Sequence, residues 1–191
     1  LPSSVRATEA DAGVEVMLQD ATARPLAEAQ RLLRQKQYEE ALTALQQVDS
    51  TGFSPSAAAT YSRLIAEAEA GAAGRRGARA TFEQGQRAFE SGDLVTALAR
   101  FGQARDNALA DEGTRSKAAE QSELVLANYP RSGRSLAGLF DEAKADFDAG
   151  RHEAARTKFE ALQGGRFRAP LFQRSPAQYI AQINSPRVES A

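Results

Sequence analysis

The hydrophobic pattern of this chain is clearest between Phe82 and Ala104, where apolar and small residues recur at the spacing of one helical face. Gly92 interrupts the pattern and can adopt the left-handed conformation that ends a helix, while Asp93 is a natural N-cap for the next one. The stretch therefore predicts an αα-hairpin. Its core positions are Phe82, Gly85 and Phe89 in the first helix and Leu94, Ala97, Leu98, Phe101 and Ala104 in the second.

The same pattern occurs three times along the chain. Eight columns agree in size and polarity, with exceptions at Lys36 and His152, and this agreement indicates an internal repeat. The first column is displaced by 56 and then 58 residues. The columns are Leu26, Phe82 and Phe140; Ala29, Gly85 and Ala143; Leu33, Phe89 and Phe147; Lys36, Gly92 and Gly150; Tyr38, Leu94 and His152; Ala41, Ala97 and Ala155; Leu45, Phe101 and Phe159; and Val48, Ala104 and Leu162.

These segments resemble tetratricopeptide repeats. LVTALARFGQA, YEEALTALQQV and HEAARTKFEAL are similar to second helices of that family, and QGQRAFESGD and EAKADFDAG are similar to the ends of first helices. The copies lack the family's Trp-Leu pair and closing Pro, and their spacing exceeds its period of about 34 residues by roughly one helix. The resemblance implies an all-α fold, a short right-handed solenoid of about eight or nine helices with extra inserted helices.

The chain is predicted to have three parts. Residues 1–21 form an N-terminal tail, in which Val14–Leu18 is either strand-like or, as we favour, a helical turn that caps the array. Residues 22–165 hold the repeats, and residues 166–191 form a link, a capping helix and a tail. The repeats lie at about 26–49, 82–105 and 140–163, the inserted helices at about 54–72 and 112–127, and the capping helix at about 175–184.

Several helix boundaries are predicted from local signals. Ser54, Ser135 and Ser175 are expected N-caps, the last with a capping box. Three glycines in Gly71–Gly77 predict a break or a frayed junction, because each costs about 1 kcal/mol relative to Ala in a helix. A continuous helix through this segment is the alternative.

Charge and composition narrow the function classes. The chain has 24 basic and 25 acidic residues, and this balance gives no overall electrostatic signature for nucleic acid or an anionic membrane. Because there is no cysteine, disulfides, thiolate metal sites and cysteine nucleophiles are excluded. No run approaches the roughly 20 apolar residues that span a bilayer. The start at Leu1, without Met, suggests an excised segment or a processed product.

Candidate chemistry is sparse. His152 occupies a repeat column, and we interpret it as a packing residue. Asp141, Asp146 and Asp148 lie on a predicted helix without the spacing or terminal Glu of a calcium hand. Gly71–Gly77 resembles a phosphate loop only superficially, because it follows a helix and lacks the Gly-Lys-Ser/Thr ending. No catalytic, cofactor-binding or metal-binding residue is predicted.

Three arginines, Arg166, Arg168 and Arg174, lie in the aromatic-bearing link after the third repeat. They either dock a partner or, as we favour, neutralise helix C-terminal carbonyls and nearby carboxylates.

The repeat resemblance implies that the first helices line an inner surface that binds a protein partner. The carboxylate-clamp class of tetratricopeptide co-chaperones is disfavoured, because matching positions hold Leu26, Phe82, Phe140 and glutamines instead of Asn and Lys or Arg. Simple solvation of the inner positions is the alternative. The predicted partner-binding residues are Gln30, Arg34, Gln86, Glu90, Lys144 and Asp148.

A short motif suggests a biological setting. LFQRSPAQY, at Leu171–Tyr179, resembles part of the repeat-bearing segment of some bacterial outer-membrane secretins and related envelope secretion or pilus proteins. The resemblance implies a periplasmic scaffold for protein–protein interaction. Because the charge is balanced and no cluster of titratable groups is evident, we expect no nucleic-acid partner and no catalysis, and self-association is open. The alternatives are a cytoplasmic location and a helical domain that binds a small molecule or glycan in a cavity lined by the Phe columns.

Overall fold

The structure, a computed structural model, describes residues 24–185, and within this range the chain is helical without any strand. The all-α class is confirmed, and eight helices agree with the predicted number. The predicted solenoid arrangement stays a prediction, and the Val14–Leu18 cap and the tail after Ser185 lie outside the described residues. The helices are α1 (24–34), α2 (Tyr38–Gln46), α3 (Pro55–Glu90), α4 (Leu94–Asp106), α5 (Glu112–Asn128), α6 (Leu136–Asp148), α7 (His152–Gly164) and α8 (Pro176–Asn184), with a 3-10 turn at Pro130–Ser132.

The predicted helix caps are confirmed. The Asp93 carboxylate accepts a hydrogen bond from the Thr96 N–H at 3.1 Å and begins α4. Ser135 accepts from the Gly138 N–H at 3.0 Å and begins α6. Ser175 begins α8 with the expected reciprocal capping box, in which the Gln178 side chain accepts from the Ser175 N–H at 2.7 Å. Local sequence therefore determines where these helices begin.

The hairpin turns share one backbone conformation although their residues differ. Gly92 and Gly150 have φ values of +79° and +74°, in the left-handed region where glycine has no steric penalty. Lys36, at the same column, has φ of +58°. The first turn thus keeps the geometry of the other two and accepts the steric cost of a side chain there.

The predicted break at Gly71–Gly77 is wrong, because α3 continues through this segment from Pro55 to Glu90. Gly71 is buried, and a Cβ atom at this position would collide with the ring of Tyr38. Ala72 and Ala78 are also buried. The packing of these small residues offsets the low helix propensity of glycine.

The chain divides into two compact units, one up to Gly74 and one from Arg75 onward. The core of the first unit is formed by α1, α2 and the first part of α3, and its columns are filled by the expected residue types. The buried side chains are Leu26, Ala29, Leu32, Leu33, Tyr38, Ala41, Leu45, Leu64, Ala68 and Ala72.

In the second unit, α4 packs on α5 and α7, α6 packs on α7, and α7 packs on α8. The ring of Phe101 fills the space left by Gly85, where a Cβ atom would lie 2.7 Å from the ring. Helices α4 and α7 approach closely at Gly102 and Gly164, because a Cβ atom on either glycine would collide with the backbone of the other helix. Small residues thus set the distances between these helices.

Candidate groove between α3 and α5

A groove of about 330 Å³ lies in the second unit, between the later part of α3 and the beginning of α5. One wall is a face of α3, on which residues three and four apart lie together. The other wall is the beginning of α5, which starts at Glu112. The lining residues are Arg79, Phe82, Glu83 and Gln86 from α3 and Asp111, Gly113, Thr114 and Lys117 from α5 and its cap.

Asp111 is the most constrained charge in the groove. Its carboxylate caps α5 by accepting hydrogen bonds from the Thr114 N–H at 2.9 Å and the Thr114 hydroxyl at 3.0 Å. Arg79 Nε donates to it from α3 at 3.0 Å. The backbone hydrogen bond from Thr114, with help from the Thr114 hydroxyl and Arg79, lowers the pKa of Asp111 to about 2. The carboxylate is therefore ionised at neutral pH and links the two walls.

Phe82 is the aromatic element of the groove. Its ring lies 5.5 Å from that of Phe101, centroid to centroid, and one part of it packs against the core. The ring is only partly buried, so the rest is available to a ligand. Gln86 is exposed one turn further along α3, and Glu83 and Lys117 add exposed charges of opposite sign. The groove thus combines an apolar surface, an amide and both charges.

The six predicted partner-binding residues do not all lie together. Gln86 lines the groove, and the other five do not. Glu90 and Asp148 are exposed near the ends of α3 and α6. In the first unit, Gln30 is half-buried and Arg34 is exposed on α1.

Lys144 is already engaged within the protein. Its ammonium lies 3.0 Å from an Asp141 oxygen and 3.3 Å from the Gln173 side-chain oxygen. It also lies 5.0 Å from the centre of the Phe140 ring. These contacts occupy the ammonium within its own unit, unlike the exposed amide of Gln86.

Sequence reasoning missed Arg79, Glu83, Asp111, Thr114 and Lys117. Asp111 and Thr114 lie at the start of the predicted inserted helix, with the spacing of an N-cap and the third helical residue. This capping contact could therefore have been predicted from the sequence. The partnership of Asp111 with Arg79 spans 32 residues and has no local signal.

The other candidate residues have structural partners. Asp146 is buried and accepts from Arg151 at 2.6 Å and from Lys158 at 2.8 Å, which joins α6 to α7. These hydrogen bonds, first from Lys158 and then from Arg151, lower the pKa of Asp146. His152 packs edge-on against Phe147 at 5.7 Å. Among residues 24–185, no group of three or more His, Cys, Asp or Glu side chains has metal-binding geometry.

The arginines of the link differ in their surroundings. The Arg174 guanidinium donates to the Gln182 side chain at 2.9 Å and lies 5.9 Å from the centre of the Tyr179 ring. Arg166 contributes to the lowered pKa of Asp106, of which hydrogen bonding from Arg105 is the main cause. Arg168 is exposed. The carbonyl at the end of α7 is instead bound by the buried Arg105, whose Nη1 donates to Gly164 O at 3.0 Å.

Comparison with protein-family models, with curated proteins and with solved structures finds no significant match to this chain. In the described part of the chain, no helix has both the length and the apolar character needed to cross a membrane.

Proposed function

We propose that this chain is a non-catalytic scaffold that binds a segment of a protein partner in the groove between α3 and α5. The main support is the placement of Gln86, a predicted partner-binding residue, beside the partly exposed ring of Phe82. An exposed amide can donate to and accept from a peptide backbone, and an aromatic face can contact an apolar side chain. The groove therefore suits a peptide with an apolar residue and charges of both signs.

A binding role accounts for the groove better than a catalytic one. With a pKa of about 2, Asp111 is a poor general base at neutral pH, where efficient bases have pKa values near the working pH. Its hydrogen bond with Thr114 caps α5, and its ion pair with Arg79 joins α5 to α3. Asp111 thus shapes the groove, and the exposed Gln86, Glu83 and Lys117 are the groups that contact the partner.

The small-molecule alternative has less support. It requires a cavity lined by the Phe columns, and the groove has one such ring, Phe82. Phe101, Phe140 and Phe159 are instead buried against neighbouring side chains. A protein segment, which binds at an open surface, is the better match to the groove.

We assign the scaffold to a bacterial envelope secretion or pilus assembly, with a periplasmic location. The support is the resemblance of Leu171–Tyr179 to secretin-type proteins. The complete gene tests this assignment. A downstream region that encodes a β-rich pore supports it, and a full reading frame with neither such a region nor an export signal contradicts it.

Site-specific photo-crosslinking tests the groove directly. A photoreactive amino acid replaces Gln86 in one variant and Gln84 in the control, in cells of the source organism. Gln84 is also exposed on α3, two residues away, and does not line the groove. We expect a discrete protein adduct, identifiable by mass spectrometry, from position 86 and none from position 84. Equal adducts from both positions, or none from either, would contradict the proposal.

A further inference from the structure

The link between α7 and α8 contacts the rest of the second unit near both of its ends. The Phe167 ring packs on that of Phe140 with centroids 5.2 Å apart, and Ala169 also contacts the core of this unit. At the other end Arg174 donates to Gln182 at 2.9 Å, and Gln173 accepts from Lys144 at 3.3 Å. The backbone between these anchors is therefore confined to a short, defined turn.

The tip of this turn consists of two apolar side chains that contact very little. Leu171 is 86% exposed and Phe172 is 107% exposed. The other large apolar residues exposed in the described part of the chain, Leu109 and Leu124, are 36% and 44% exposed. Phe172 has φ of +67°, which is sterically costly for a bulky residue, and the Gln173 N–H donates to Pro170 O at 3.1 Å to close the turn. The fold thus maintains a strained turn that projects two apolar groups into solvent.

The charge around this tip is one-sided, although the charge of the whole chain is balanced. Between Glu160 and Glu189 the sequence has four arginines and no carboxylate side chain. Arg168 and Arg174 flank the tip and are exposed. The nearby carboxylate of Asp141 is paired with Lys144 at 3.0 Å, and Arg166 lies near Asp106. Arg168 and Arg174 therefore give the tip a local positive charge.

We propose that the Leu171–Phe172 tip binds the surface of a bilayer that contains anionic lipids. The two apolar side chains enter the boundary between headgroups and acyl chains, the exposed Arg168 contacts a lipid phosphate, and Arg174 adds positive charge beside the tip. Binding of this kind depends on buried apolar area together with attraction between cations and anionic lipid. This surface lies on the link before α8, so the proposal does not depend on the groove.

A bilayer explains the tip better than a protein pocket does. A stable protein interface buries about 800 Å² on each partner and has an extended, complementary surface around its central anchors. Apart from the adjacent Pro170, the neighbouring exposed residues are polar or cationic, as in Gln173, Arg174 and Arg168. A bilayer needs no complementary shape and accepts a small apolar tip with flanking cations.

Vesicle co-sedimentation of the full chain tests the proposal. The probes are vesicles of phosphatidylcholine alone and of phosphatidylcholine with about one third phosphatidylglycerol, at low and raised salt. We expect binding to the anionic vesicles, weaker binding in raised salt, and background binding to phosphatidylcholine alone. The double variant Leu171→Ser/Phe172→Ser should lower the bound fraction at least about tenfold, because it removes the apolar part.

Matched variants separate the tip from general hydrophobicity and charge. Leu109→Ser and Leu124→Ser make the same chemical change at the other exposed leucines of residues 24–185 and should leave vesicle binding unchanged. Arg168→Gln, which leaves the contacts of Arg174 with Gln182 and Tyr179 in place, should reduce binding to anionic vesicles and weaken its salt dependence. The proposal is wrong if the wild-type chain stays in solution with anionic vesicles, as expected for a tip that fits a protein pocket. It is also wrong if the Leu171→Ser/Phe172→Ser variant binds as the wild type does.

Discussion

Phe82 and Phe140 occupy the same column of two repeats, yet their surroundings are opposite. Phe140 is 2% exposed, and the rings of Phe167 and Tyr179 cover it at centroid distances of 5.2 and 6.3 Å. Phe82 packs on Phe101 on one side and borders an open groove on the other. The two hairpins share a pattern, and they differ in the segment that comes after each of them along the chain.

The difference shows how one repeat pattern yields both a core and a surface. After the third repeat, the link and α8 return over α6 and α7, and Tyr179 stacks on Phe159 at 4.5 Å. After the second repeat, α5 packs on α4 and meets α3 through the polar pair of Asp111 and Arg79. An aromatic cover closes one site, whereas a polar contact leaves the other accessible.

The largest expected effect comes from truncating the two phenylalanines. Phe140→Ala should lower the free energy of unfolding by about 3–5 kcal/mol, because it removes a fully buried ring from a closed cluster. Phe82→Ala should cost only about 1–2 kcal/mol, since part of its ring is already in solvent. Urea unfolding followed by circular dichroism measures both. Equal costs would mean that Phe82 is as much a core residue as Phe140.

The glycine contact between α4 and α7 gives the next largest effect. Gly102→Ala should destabilise by about 2 kcal/mol, because the new methyl group collides with the backbone of Gly164. The matched control is Gly77→Ala in α3, where a Cβ atom meets nothing within 4 Å. That variant should be stabilised by about 0.5–1 kcal/mol through helix propensity. Thermal unfolding of both variants tests whether their changes in stability have opposite signs. A loss of stability in both variants would contradict the role given to the contact of Gly102 with Gly164 between α4 and α7.

The caps and the turns were predictable because each depends on neighbours within a few residues. Asp93, Ser135 and Ser175 begin helices where their sequence context predicts. The columns were predictable for a similar reason, since helical spacing determines which side chains share a face. The residue type alone does not predict the turn at Lys36, because this lysine adopts the left-handed conformation of the glycine turns.

The features that escaped prediction depend on residues far apart in sequence. Gly71 belongs to a continuous helix because its surface meets Tyr38, and propensity alone predicts a break. The groove needs Arg79 to meet Asp111, and the crossing needs Gly102 to meet Gly164. Of the predicted binding residues, Gln86 lines the groove. Lys144 donates a hydrogen bond to Gln173, and no local sequence pattern predicts this contact.

A smaller effect tests the polar wall of the groove. Asp111→Asn keeps a good N-cap but removes the charge, so it should cost on the order of 1 kcal/mol near pH 7, after allowance for solvent screening. The folded-state pKa of Asp111, about 2, lies below the ordinary value of 3.8, so its stabilisation is full above the ordinary value and is lost as the pH falls through about 2.

Urea unfolding of the wild type and the Asp111→Asn variant near pH 7 and pH 3 measures this dependence. The difference between the two proteins should shrink to about half near pH 3. A difference that stays constant with pH would show that the carboxylate charge does not link α3 to α5.

The central claim is that the site beside Phe82 is open to a partner, whereas the equivalent site beside Phe140 is covered, and crosslinking at equivalent positions tests it most directly. Gln86 and Lys144 occupy the same position in their repeats. A photoreactive amino acid at position 86 should yield a discrete adduct with a protein partner. The same amino acid at position 144 should yield none, because the rings of Phe167 and Tyr179 cover the adjacent Phe140. An adduct from position 144 without one from position 86 would contradict the account.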